Sequence, residues 1–302
     1  MSSGFLPGPT AIKRRSGLAA PVPVAGAELL TNGNMESGDP PTGWLNGGSA
    51  TLTAAADERT GGSGTKSINI AVASGGAGEA YRAGATTANG WLRAGVWRKN
   101  IDSASGAQLL LYTSGYALIS ASGYSVAAAW NETVVIARSP TTSTLIFLKT
   151  VGAVGTAARF DDATMAMLSL PSLFSTRIYG SANCDLSAAI TRTAGTQAGL
   201  VARLDSATSP ANFIIAYLDG GGNVKVDKCV GGTYTNVISG AATYGSTKIL
   251  RLVCSGNSVS AYYDGTQVGN TVTVSDAGIV SNTRHGLFST YASNSFAGYV
   301  AA

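Results

Sequence analysis

The chain has 302 residues, 45% hydrophobic and 12% charged, with 39 glycines and a formal net charge of +4. That length predicts two domains of ordinary size, and no apolar run reaches the ~18 residues of a membrane-spanning helix, so membrane insertion is not expected. Residues 28–168 carry nine basic and ten acidic side chains and residues 169–302 eight and six; without a concentrated basic stripe or matching motif, a specific nucleic-acid partner is excluded.

In chain order, the first segment is "MSSGFLPGPTAIKRRSGLAAPVPVAGA", residues 1–27, with three basic side chains and no acidic one. The charges and the small-residue "AGA" imitate a secretory signal. The stretch between them contains Pro21 and Pro23, which remove helical hydrogen bonds and fix φ. The segment therefore reads as an extended, Pro/Gly-rich docking arm, in which Lys13, Arg14 and Arg15 either meet an acidic partner or form a solvated charge cluster.

From Glu28 the sequence alternates strand-like runs with Gly, Ser, Asn or Pro punctuation. "SINIAVA", "WLRAGVW", "AQLLLYT", "TVVIARS" and "STLIFLKT" fall in the first half. "AGLVARLDS", "NFIIAYLDG", "NVKVDKCVGG", "STKILRLVCSG" and "NSVSAYYDGTQVG" fall in the second, the last carrying an Asp264-Gly265 hairpin turn. No amphipathic helix of useful length occurs. The expected fold class is all-β: two β-sandwich (jelly-roll) domains in tandem, residues 28–170 and 171–302, behind the arm of residues 1–27, with the boundary at Pro171.

The three cysteines, Cys184, Cys229 and Cys254, lie in the second half without a CxxC or zinc spacing. An odd number in strand-like runs reads as buried thiols, which suits folding in a reducing cytoplasm.

"ELLTNGNMESGDPPTGW" and "RFDDATMAML" resemble the opening and closing strands of jelly-roll carbohydrate-binding modules. The resemblance implies neighbouring acidic segments and a structural calcium ion. A hard cation wants several oxygen ligands, and the residues it points to are Glu36 and Asp161, with Asp162 and Asp57 as further candidates; turn capping by the same acids is the alternative. The second domain resembles laminin G-like, concanavalin A-like sandwiches through "GLVARLDS", "NFIIAYLD", "GGTYTNV", "ILRLVCSGNSVSAYYDGTQVG" and "HGLFS". It departs from them in ending "SFAGYVAA" where an acidic strand is usual.

Sugar binding by such folds needs flat aromatic faces flanked by hydrogen-bonding groups. Strand alternation along "WLRAGVW" puts Leu92, Ala94 and Val96 on one face and Trp91, Arg93 and Trp97 on the other. Gln108 and Tyr112, from the next strand, are expected to join this glycan-binding patch. Buried tryptophans are also ordinary core residues, and Trp44 in "PPTGW" reads as one. Catalysis is not expected. The E-x-D-x-x-E pattern of sandwich glucanases is missing, residues 171–302 contain no Glu, and His285 stands apart from any nucleophile pattern, as a strand-edge residue.

These readings converge on a non-catalytic, virion-associated structural or decoration protein of a bacteriophage. It would be made in the host cytoplasm, anchored to other virion proteins of capsid or tail by its arm, and present at the virion surface as a homo-oligomer or in many copies. Its sandwiches would face outward to bind a host cell-surface glycan. The alternatives are a secreted, extracellular carbohydrate-binding accessory protein of a polysaccharide degrader, and a glycoside-active enzyme with a dispersed carboxylate pair.

Overall fold

The computed structural model describes residues 14, 15, 17–57, 59 and 61–302. Lys13, like residues 1–12, 16, 58 and 60, lies outside them. Two compact units are present: residues 23–172 with 194–196, and the described residues up to 22 with 173–193 and 197–302. The first strand, β1 (Arg14–Arg15), belongs to the second unit.

The first unit contains β2 (Ala25–Glu28), β3 (Leu45–Asn46), β4 (Ala50–Ala55), β5 (Ser67–Val72), β6 (Ala77–Ala85), β7 (Trp91–Asn100), β8 (Gly106–Thr113), β9 (Leu118–Ala121), β10 (Asn131–Arg138), β11 (Ser143–Val151) and β12 (Ala157–Leu168). One antiparallel sheet runs β10-β7-β12-β5-β4, with β2 also paired to β12; the other runs β3-β6-β11-β8-β9. The period-2 alternation in the sequence explains the layering. Leu92, Ala94 and Val96 of β7 join Leu109 and Leu111 of β8 and Ile146 and Leu148 of β11 in one buried cluster. Each large aliphatic side chain so buried contributes about 1.5–3 kcal/mol relative to exposure. Trp44 is in the same core, 4% exposed, and its indole N–H donates to the Asn32 carbonyl at 3.1 Å. It packs under the opening loop as its sequence context suggests.

The second unit contains β13 (Phe174–Ile178), β14 (Cys184–Thr191), β15 (Ala198–Leu204), β16 (Phe213–Leu218), β17 (Asn223–Val230), β18 (Thr233–Ala241), β19 (Ile249–Ser255), β20 (Ser258–Tyr263), β21 (Thr266–Thr273), the short helix α1 (Ala277–Val280), β22 (Arg284–Ser289) and β23 (Ser295–Ala301). Its sheets run β1-β23-β14-β19-β20-β21 and β13-β22-β15-β16-β17-β18. At the β20–β21 hairpin, Asp264 and Gly265 take φ of 52° and 81°, the left-handed pair that a two-residue turn between twisted strands needs.

Two expectations change here. Residues 25–27 are not free arm: β2 pairs with β12, and the Val24 N–H donates to Ser172 Oγ at 2.9 Å while its carbonyl accepts from the Ser169 N–H. His285 is not at a strand edge. β22 pairs with both β13 and β15, and the imidazole is fully buried, accepting the Arg203 N–H at Nδ1 and bonding the Ser181 carbonyl through Nε2. Burial first, then the Arg203 charge, holds its pKa below the usual value.

Candidate glycan-binding cleft

The outward face of β7 carries Arg93 and Trp97 with Gly95 between them. Register sets their neighbours: Trp97 lies opposite Glu132 of β10 on one side and Asp161 of β12 on the other. The β12 register then slips between Asp161 and Thr164, and Asp162 takes a left-handed φ of 46°. Such an irregularity re-aims a side chain. Asp162 thereby turns toward the loop after β4, accepting from Arg59 Nε at 2.7 Å and from the Ser63 hydroxyl. Arg59 in turn lays its guanidinium over the Trp97 ring, 4.5 Å from the centroid.

The result is a cleft of ≈ 420 Å³ lined by Glu28, Asn34, Arg59, Ser63, Arg93, Trp97, Glu132, Asp162 and Thr164, among others. Two guanidinium groups face three carboxylates, so the cleft does not present the net positive charge of a phosphate site. Each acid has a partner: Arg93 reaches Glu132 at 3.4 Å, and Glu28 Oε1 accepts the backbone N–H groups of Leu29, Leu30 and Met165. Behind the cleft Asp161 is 2% exposed. Burial, reinforced by the Asp162 charge, pushes its carboxyl up to about 6, against the pull of the Asp162 and Arg59 backbone N–H groups.

The structure divides the patch read from the sequence. Arg93 and Trp97 meet in the cleft. Trp91 shares their face but is 3% exposed, with the Arg138 guanidinium over its ring, so it cannot serve as a stacking platform. Gln108 and Tyr112 do not join them at all, because the chain crosses to the opposite sheet between β7 and β8. There Gln108 is buried and donates to the Ser122 carbonyl at 2.7 Å. Tyr112 packs edge-on against Phe147, on which Tyr81 stacks at 4.8 Å. Sequence reasoning missed Arg59, Glu132 and Asn34. Strand register across distant segments places Glu132, and no local signal marks Arg59.

The expected calcium ligands are also dispersed. Glu36 Oε1 accepts the Thr65 and Lys66 backbone N–H groups at 2.8 and 2.6 Å. That turn is tight: a Cβ at Gly64 would stand 2.0 Å from Glu36 Oε1. Asp57 accepts from Lys99 at 2.7 Å and from Arg159; although burial opposes it, these two cations hold its carboxyl below the usual value. Asp161 and Asp162 answer to Arg59, Ser63 and backbone N–H groups. Among the described residues no three acidic, His or Cys side chains converge as metal ligands. The donor set therefore does not fit a calcium ion: each carboxylate is already neutralised or hydrogen-bonded by the protein.

No protein-family model matches the chain, and no curated protein matches it. Solved structures similar to parts of it include the enzymatically active domain of bacteriophage CBA120 tailspike protein 4, at 14% identity over 46% of this chain and 21% of that one, TM-score 0.38. The CBM61 module in complex with β-1,4-galactotriose is similar at 16% identity over 46% of this chain and 98% of that one, TM-score 0.37. The CBM22-1 xylan-binding domain from Paenibacillus barcinonensis is similar at 12% identity over 49% and 97%, TM-score 0.38. The chain thus spans about a fifth of the length of the tailspike domain it matches. At these TM-scores the likenesses carry no argument about ligands.

Proposed function

We propose that the protein is a non-catalytic glycan-binding protein and that the first sandwich holds the sugar in the Trp97 cleft. The observation that carries this reading is the convergence of one half-exposed indole with Arg59, Arg93, Glu132 and Asp162 on a single cavity. Its volume lies within the few hundred Å³ typical of ligand sites. Paired guanidinium and carboxylate groups offer donors and acceptors to sugar hydroxyls, and the indole supplies an apolar wall. The engagement of every lining carboxylate by a partner favours holding over proton transfer. A glycan array probed with the parent chain and with Arg93→Ala and Glu132→Ala tests the proposal. Binding by the parent and a tenfold or greater loss in both variants is expected; a parent that binds nothing, or variants that bind equally well, would overturn it.

In the wider setting, the reading is a virion-associated decoration protein whose second, laminin G-like sandwich also faces outward. Support comes from three buried cysteines that form no disulfide, which suits assembly in a reducing compartment. Mass spectrometry of purified particles from the native source, seeking this chain at multi-copy stoichiometry, tests the assignment. One observation favours a glycoside-active enzyme instead: Glu132 and Asp162 line the same cleft, and two carboxylates are what glycoside hydrolysis requires. Reducing-end release from a polysaccharide panel, lost in Glu132→Gln and Asp162→Asn, would establish that alternative.

A further inference from the structure

In the second unit, β14 and β19 pair so that Cys184 stands directly opposite Cys254. Directly opposed residues share a face of the sheet, and both thiols lie in the core, 5% and 1% exposed. Opposed Cα atoms in an antiparallel pair are about 4.5–5.5 Å apart, inside the roughly 4.4–6.8 Å that a disulfide spans. The third cysteine, Cys229, is on β17 of the other sheet, its thiol donating to the Ala211 carbonyl at 3.4 Å.

A buried cation organises the pair. Arg203 is fully buried; its Nε donates to the Ala182 carbonyl at 2.8 Å and its Nη2 to the Gly256 carbonyl at 2.6 Å. These carbonyls sit two residues before Cys184 and two after Cys254, so one guanidinium ties together the ends of both cysteine strands. Asn183 reinforces the register, its side-chain oxygen accepting the Gly256 N–H at 2.8 Å. Among the described residues the remaining nitrogen, Nη1, is buried without a hydrogen-bond partner, and the guanidinium charge acts on both sulfurs. The hydrogen bond between the two thiols acts on them in opposite directions. A hydrogen bond from Cys184, with help from Arg203, draws the Cys254 thiol below its usual range although burial opposes this. The same hydrogen bond, with burial, raises Cys184.

We propose that Cys184 and Cys254 form a redox pair that hydrogen peroxide closes into a cross-strand disulfide, leaving Cys229 as the single thiol. The lower-pKa sulfur is the nucleophile. The Cys254 thiolate attacks one peroxide oxygen, the O–O bond breaks, and the departing hydroxide takes up the thiol proton to leave as water, with sulfenic acid at Cys254. Cys184 sulfur then attacks Cys254 Sγ. The S–O bond breaks, and the hydroxide leaves with the Cys184 proton as a second water. Two thiols lose two electrons, and one peroxide gains them.

The test uses the full chain, folded, treated with hydrogen peroxide or with dithiothreitol, then denatured and alkylated with N-ethylmaleimide for intact mass and peptide mapping. The peroxide-treated chain should take up one label where the reduced chain takes three, and should show a linked peptide pair containing Cys184 and Cys254. Dithiothreitol should restore all three labels. Cys229→Ser keeps the pair intact and should close equally, from two labels to none, whether or not Cys184→Ser and Cys254→Ser fold. Three labels after peroxide, a linkage through Cys229, or stable oxygen adducts on Cys254 without linkage would overturn the proposal.

Discussion

Asp161 offers a perturbation whose size follows from its surroundings. Its carboxyl titrates at about 6 in the folded protein, against an ordinary value of 3.8. The difference of about two pKa units corresponds to ~3 kcal/mol. Because the folded value is raised, the native state binds this proton more tightly than the unfolded chain, and stability declines as the proton is lost. The contribution is complete below pH ~4 and disappears as pH rises through ~6. Asp161→Asn keeps the shape and stays neutral throughout. Any cost from the altered contacts to the Asp162 and Arg59 N–H groups is a constant offset. The variant should therefore gain about 3 kcal/mol relative to the parent between pH 4 and pH 7. Urea unfolding followed by tryptophan fluorescence isolates the effect, since Trp44, Trp91, Trp97 and Trp130 all lie in the first unit, and other titrating groups cancel in the difference. A parent–variant difference that is flat across this range, or that moves toward the parent, would refute the burial argument.

The two tryptophans of β7 should separate cleanly. Trp91→Ala should destabilise the first unit by about 3–5 kcal/mol, as expected for truncating a buried large aromatic, whereas Trp97→Ala should cost less and abolish glycan binding; the fluorescence unfolding curve and the array read the two effects. Chelation with EDTA should leave the melting midpoint of the first unit unchanged, because Glu36, Asp57, Asp161 and Asp162 are satisfied by protein donors; a fall reversed by calcium would restore the metal site implied by the resemblance. Deleting residues 1–15 should release the protein from its particle in a co-sedimentation assay and leave the midpoint of the first unit unchanged, while deleting residues 1–28 should also strip β2 from β12 and lower that midpoint. Retention of the shorter truncation at normal stoichiometry would end the docking role.

Local geometry was legible in the residues themselves. Period-2 alternation assigned the two faces of β7, because a pleated strand sends successive side chains to opposite sides whatever it packs against. Asp264-Gly265 specified its hairpin because few residue pairs tolerate two consecutive left-handed conformations. Tertiary structure alone decided which faces meet. Residues 101–105 allow either a hairpin within one sheet or a crossing to the other, and the crossing took Gln108 and Tyr112 away from Trp97. The cleft depends on pairing between segments far apart in the chain: Asp161 opposite Trp97, and Arg59 reaching Asp162 from the loop after β4. So does the apposition of Cys184 with Cys254. Such pairings follow from which sheet arrangement buries the most apolar surface with its backbone hydrogen bonds satisfied. That is a property of the whole sandwich, and no single strand carries it.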